Sequence, residues 1–415
     1  SIKMKKFLLS IFFIASSTLM NAQVVINDSV ILGAGYMNQS FYSLSDGEQA
    51  NIDNTNWDIA LDASGYGATI RINSAIGTEL YKYPNGDTSS WSNLDTSGIN
   101  SWSPVYDSDT SWGLGAFNRG MTSSSMDMGW GVYSIITHHI TGDSLFVIKL
   151  SNGLFKKLQI TSLISGVYNL KHANLDGSNE IISSIDKSNY ANKNFGYYNL
   201  RTDSALDREP TDTLWDLLFT KYITKLSPSM YYGVTGVMHN AGVKVAEMSG
   251  VSDVNSATNY MGQNFEAAIN TIGYDWKSFN MGTFSYEISD SLCYFIEDKS
   301  GQFWRLVLTG FDGSSTGKII FNKSNISNSQ SIGEEKLTFG LYPNPAEDVA
   351  HIVFNNSDIT YITIQNLFGQ VVMVKQVEKI GLIDYPVNLS LYKKGLYIIK
   401  VQQGNKIGTE RLIIK

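Results

Sequence analysis

Two stretches of this chain repeat one another. Phe41-Tyr42-Ser43-Leu44, followed by Trp57-Asp58-Ile59-Ala60-Leu61, returns as Tyr197-Tyr198-Asn199-Leu200, followed by Trp215-Asp216-Leu217-Leu218-Phe219. The aromatic pairs are offset by 156 residues and the Trp-Asp pairs by 158, so one copy holds two extra residues between them. A second pair of blocks keeps the same order. Asp143-Ser144-Leu145-Phe146-Val147-Ile148 leads to Gly153-Leu154-Phe155, and Asp290-Ser291-Leu292-Cys293-Tyr294-Phe295-Ile296 leads to Gly301-Gln302-Phe303. Each block reads as a hairpin, with apolar alternation, a glycine turn and a second strand. A period of about 150 residues is too long for a solenoid, whose units run to a few tens of residues. It predicts two related β units, at 23–185 and 186–323.

Composition points the same way. Aromatic residues make up 12% of the 415, with 23 Tyr and 8 Trp, and the polar residues are mostly Asn, Ser, Thr and Asp. The first group suits pleated, half-buried surfaces and the second suits turns. The expected fold is all-β: two tandem related β-sheet units followed by a small Ig-like β-sandwich. The net charge is −7, which gives a nucleic-acid partner little electrostatic support. Cys293 is the single cysteine, so an internal disulfide and a Cys-rich metal site are excluded. It sits in an apolar run and reads as a buried, inert thiol.

Both ends read as separate segments. Residues 1–22 have the order of a secretory signal peptide: Lys5 and Lys6, an apolar run from Phe7 to Ile14, then a more polar stretch ending in Ala22. The run is too short to cross a bilayer, and no other segment reaches 18 apolar residues, so no transmembrane helix is expected. At the other end, Leu341-Tyr342-Pro343-Asn344-Pro345 is a rigid entry to a run of short strand candidates: Val349–Phe354, Tyr361–Asn366, Gln370–Val374, Gly395–Gln402 and Thr409–Lys415. Phe368-Gly369-Gln370 and Gln403-Gly404-Asn405 are turn signals between such runs. Before this module lies a polar stretch, Asn322–Glu335, with 324–335 as the linker proper.

Four blocks of residues 336–415 resemble the type A C-terminal sorting domain of the type IX secretion system. They are the Leu-Tyr-Pro-Asn-Pro entry, Ile364 to Val372, Asn388 to Val401, and Lys406 to Lys415; Arg411 stands where Lys is commoner. The resemblance implies a protein carried via the periplasm through the outer membrane of a Gram-negative bacterium. Its partner would be the type IX machinery, and its destination the outer cell surface or the medium.

Within the body, the Asp of each Trp-Asp pair falls on the face opposite its Trp. There it is expected to accept from backbone N–H groups or an Arg, a structural role. Trp57 to Leu61, Ile70 to Ser74, and Val147 to Lys149 with Gly153 to Leu158 resemble the HmuY-type family of all-β haem-binding proteins. Segments Leu217–Tyr222 and Thr235–Asn240 are similar to the family's longer two-copy relatives. The resemblance implies a β fold and haem as the most concrete ligand. Its members use His or Met pairs, but no position here matches such a ligand by motif.

Candidate ligand-binding residues are His138, His139, Met121, Met126 and Met128. His138-His139 is the one histidine cluster of the body, in a run, Tyr133–Ile140, that reads as a strand. Adjacent strand residues face opposite ways, so one histidine at most serves a single site. A Met of the Gly120–Trp130 run supplies a second axial donor to haem in the sharper reading. In the plainer one the histidines are ordinary strand residues and the Met run is a loop packed on Trp130. Tyr106-Asp107-Ser108-Asp109 starts like a calcium loop but lacks its Gly and its terminal Glu. No His-Glu-x-x-His or phosphate-loop motif occurs. The expectation is an exported, non-enzymatic surface or secreted binding protein. A structural or adhesive protein binding glycans or protein partners is the alternative, and a secreted hydrolase the third.

Overall fold

The structure, a computed structural model, describes residues 24–227, 230–327, 337–357, 359–366, 371–403 and 406–415. The expected signal peptide, most of the linker, and the turn signals Phe368-Gly369-Gln370 and Gly404-Asn405 lie outside the described residues. Among those residues the fold is almost wholly antiparallel β, with helix confined to short 3-10 turns. The chain forms two compact units, divided between Ser327 and Asn328.

The body contains two cores of similar make-up. Core one gathers Ile59, Leu61, Ile70, Trp130, Ile148, Ile160 and Leu200, among others. Core two gathers Val30, Tyr42, Leu44, Leu217, Trp276, Ile296, Leu308 and Phe321. Membership crosses the sequence repeat. Strand Asn38–Ser43 of the first copy pairs with Leu217–Ser227 of the second, with Leu217 opposite Tyr42. Strand Phe195–Asn199 of the second copy pairs with Ile59–Asp62 of the first, with Tyr198 opposite Ile59. The first strand, Ile26–Ile31, lies beside the last of the body, Lys318–Asn325. The repeat boundary near residue 185 is therefore not a boundary between cores.

The Trp-Asp pairs fix these crossings. Asp58 is buried and its Oδ2 accepts from Leu200 N at 2.8 Å; Asp216 Oδ2 accepts from Leu44 N at 2.7 Å. Each carboxylate thus receives the amide that follows the aromatic strand of the other copy. Arg201 Nε adds an ion pair to Asp58 at 3.1 Å. Asp216 has no such arginine, and burial pushes its carboxyl up to about 6. Trp57 packs edge-on against Tyr197 at 5.0 Å, and Trp215 packs edge-on against Phe41 at 5.1 Å. The two Trp-Asp pairs occupy equivalent buried places, and both Asp residues take the backbone N–H their position implies.

Between the cores runs a seam of rings. Trp112 lies near Phe195 and Trp215, and its Nε1 donates to His239 O at 2.9 Å. The buried Arg71 guanidinium covers Trp112 at 5.0 Å and donates to Ser108 O and Ser111 O. Glu209 is buried beneath the seam, accepting from Phe195 N at 2.9 Å, from Tyr197 O–H at 2.7 Å, and from Asn194 N. Burial outweighs these donors and the nearby Arg208, and pushes its carboxyl up to about 7. Asp107, read as the start of a calcium-like loop, instead accepts from Ala116 N and faces Arg71.

The polar stretch from Asn322 is not all linker. Asn322 to Asn325 continue the last strand of the body. Asn322, Lys323 and Ser324 are buried there because each has a partner: Asn255, Ser43 O and Arg305. Composition alone reads such residues as solvent-facing.

The second unit is a sandwich of a three-stranded and a four-stranded sheet around Ile352, Phe354, Ile362, Ile399, Val401 and Leu412. The five expected strands are present. Gly340–Tyr342 and Gly381–Asn388 complete the seven. The latter holds Pro386, which a sheet tolerates because this strand pairs on one side only, with Val349–Asn356. Asn344 of the proline-flanked entry accepts from Ile413 N at 3.0 Å and donates to Arg411 O at 2.6 Å. The entry is thereby stitched to the terminal strand.

Two predictions follow from the body. Trp57→Ala and Trp215→Ala each remove a ring packed at a crossing and should cost about 3–5 kcal/mol, read from urea unfolding of the full chain. Glu209 has a folded pKa above its unfolded value, so it contributes stability at low pH that is lost as pH rises through about 7. Wild type should therefore lose stability relative to Glu209→Gln between pH 4.5 and 7.5, by roughly 3 kcal/mol. Equal pH profiles for the two proteins would contradict the buried-carboxylate account.

Candidate binding cleft

Four hollows in the body differ enough in size to separate them. The two in the seam hold about 60 and 50 Å³, room for a few waters. An open groove of about 600 Å³ near Tyr36 is lined mainly by Gly, Ser, Ala and Thr, with Lys221 as its one charged side chain. The fourth is a cleft of about 440 Å³ on the outer side of core one. Its walls are Tyr66, Met126, Met128, Tyr133, His138, Ile140 and Leu163, with Gly65, Gly67, Gly166 and Lys187. A mostly apolar concavity with a few polar groups is the usual form of a small-molecule site.

Local sequence explains each wall. Gly131–Tyr133 and Ile140–Gly142 form a hairpin, with Tyr133 opposite Ile140. The expected continuous strand from Tyr133 to Ile140 is broken: Ser134 to His139 form its loop, closed by Ser134 N to His139 O at 2.8 Å. The apolar pair Ile135-Ile136, which suggested a strand, is exposed at the tip. His138 adopts a left-handed backbone, φ 59°, and this turns its ring back toward Tyr133. Its Nδ1 lies 2.7 Å from Tyr133 Oη. Among the described residues its Nε2 makes no hydrogen bond. An imidazole with one nitrogen held and the other open is the arrangement seen in metal-ligating histidines.

The methionines enter from the preceding loop. Asp127 forms a bridge with Val132, and its carboxylate accepts from Thr122 N and Gly129 N at 2.7 Å each. Met126 and Met128 flank that bridge. Both are half-buried and both line the cleft. Met128 also packs on core one, as the Trp130 reading implied. The far wall is the loop around Tyr66, whose ring is fully exposed. Lys187 Nζ ties that loop down through Ser64 O at 2.7 Å and Gly67 O at 2.5 Å. A Cβ at Gly67 would fall 2.1 Å from Asp62 Oδ2, so a larger residue there displaces that carboxylate.

Of the five candidate residues, His138, Met126 and Met128 come together in this cleft. Met121 is exposed and His139 half-buried, and neither lines it. Sequence reasoning missed Tyr66, Ile140, Leu163 and Lys187, which carry no motif and meet the others only in space. The remaining body histidines are closed to ligands. His172 is buried, with Nε2 2.9 Å from Asp203 Oδ1, and burial together with Lys156 lowers it to about 4. Both ring nitrogens of His239 face carbonyls, those of Asn240 and Ala268. Cys293 is fully buried, which pushes its thiol up to about 11, far from a reactive thiolate. Among the described residues no group of His, Cys, Asp and Glu is arranged to hold a metal ion. No helix there is long and apolar enough to cross a membrane.

Comparison with known proteins assigns the tail. Residues 340–415 match the family model of the secretion system C-terminal sorting domain. No curated protein matches the chain. The matched span covers the whole described sandwich from its first strand, including Asn344 and the terminal strand it holds. The chain therefore carries a C-terminal sorting domain of the type IX secretion system, which engages that machinery and directs the protein to the outer cell surface or the extracellular space.

Proposed function

We propose that the body is a non-enzymatic binding protein, delivered outside the cell by its tail, and that the cleft beside His138 is its ligand site. The observation that carries this reading is the convergence of one open imidazole and two half-buried thioethers on a single apolar cleft. Haem or a related porphyrin fits that donor set. His138 would hold the metal through Nε2, Met126 or Met128 would offer a sulfur, and Tyr133, Ile140 and Leu163 would cover the ring. Bound haem would supply an iron centre for the His138 imidazole and a Met126 or Met128 thioether to ligate. Tyr133 fixes the His138 ring through Nδ1, and Lys187 holds the facing loop in place. The HmuY-like character of the two copies belongs to this reading, and rests on the strand motifs quoted above.

Titration of the full chain with haemin tests it. A sharpened, shifted Soret band is expected at one equivalent. His138→Ala should abolish the shift and His139→Ala should leave it, since only His138 lines the cleft. Identical titrations for wild type and His138→Ala, or dependence on His139 alone, would contradict the assignment.

A further inference from the structure

The duplication supplies an internal control for the cleft. Trp130 and Trp276 are both fully buried, and each leads into a hairpin. Asp143 N donates to Trp130 O at 3.2 Å, and Ser289 N donates to Trp276 O at 3.0 Å. The hairpins align through their pairing: Tyr133 opposite Ile140 in one, Phe279 opposite Tyr286 in the other. In the same alignment His138, at φ 59°, falls on Phe284, at φ 51°.

The long hairpins behind them also align. Phe155–Ile164 with Val167–Asn174 shifts register between Ile160 and Ser162. Phe303–Phe311 with Lys318–Asn325 shifts register between Leu308 and Gly310. The next residue after each bulge is Leu163 in the first copy and Phe311 in the second. Four cleft positions thus carry Tyr, His, Ile and Leu in one copy and Phe, Phe, Tyr and Phe in the other.

In the second copy the protein's own rings meet at three of these positions, while Phe284 stands exposed. Tyr286 lies edge-on to Phe311 with centroids 4.7 Å apart, and Phe279 lies edge-on to Tyr286 at 5.1 Å. Tyr36 stacks on Phe311 at 5.9 Å. Rings in such contact leave no slot between them. In the first copy Ile140 and Leu163 stop short, and the 440 Å³ cleft is what remains.

We infer that the cleft is a single-copy slot for a planar aromatic ligand, opened where Ile140 and Leu163 stand in place of Tyr286 and Phe311. The ligand's rings occupy the space that the protein's own rings occupy in the second copy. Ile140 and Leu163 set the width of the slot, and His138 stands at its mouth. The inference rests on the reading of this cleft as a binding site, but needs no metal.

The probe is metal-free protoporphyrin, followed by fluorescence in the full chain, beside haemin. Wild type should bind one equivalent of the metal-free ring. Leu163→Phe and Ile140→Tyr each introduce the side chain the second copy accommodates. Each should weaken binding about tenfold or more, with the unfolding midpoint held near that of wild type. The double variant Tyr286→Ile with Phe311→Leu should bind a second equivalent. Unchanged affinity in folded Leu163→Phe and Ile140→Tyr would overturn the slot, even if haemin binds through His138. Haemin failing while the metal-free ring binds in a Leu163-dependent way would overturn the haem reading alone. Binding of neither probe to wild type would overturn both.

Discussion

A buried aspartate accepting a backbone amide from the other half of the duplication is the contact on which this body depends. Asp58 takes Leu200 N and Asp216 takes Leu44 N. A charged acceptor taken out of water is costly unless it is satisfied, and these amides offset part of that cost. The partner strand is therefore not interchangeable with solvent. Placing Tyr42 beside Leu217 and Tyr198 beside Ile59 then follows, and so does the seam of rings where the strands pass one another. The two copies share strands instead of folding as separate beads, and one compact unit results.

Much of this was legible in the sequence and some was not. The repeat, the burial of Trp57 and Trp215, and the acceptor role of the two Asp residues follow from alternation and from chemistry. Which copy completes which sheet does not follow, because repeated blocks carry the same pattern whether paired within a copy or across copies. Asn322 to Ser324 read as linker because composition cannot see the partners that bury them. Tyr133–Ile140 read as a strand because Ile135 and Ile136 look like core residues, yet they stand exposed at a loop tip. His138 and the 126–128 methionines were visible as types that bind; that they share a cleft, and that His139 and Met121 do not, depends on the left-handed turn at His138 and on the bridge at Asp127.

The two copies have taken different parts. The second closes its outer pocket with its own aromatic rings, which adds packing to core two. The first leaves the equivalent space open and edges it with an imidazole and two thioethers. A cavity left open costs stability, and sites of function are where proteins accept that cost. The strand exchange ties the open copy to the filled one, so packing lost at the cleft is offset by a core that is not exposed to the same demand. The sorting domain is a unit with its own core.

Hydrogen exchange in rising urea, followed by mass spectrometry on the full chain, tests the shared-strand account most directly. Peptides around Ile148 and Ile160 report on core one, and peptides around Ile296 and Leu306 on core two. Because each core is completed by a strand from the other copy, both sets should lose protection together, at one midpoint and with one denaturant slope. Loss of protection in one core while the other stays fully protected would show two independent domains, and would contradict the account.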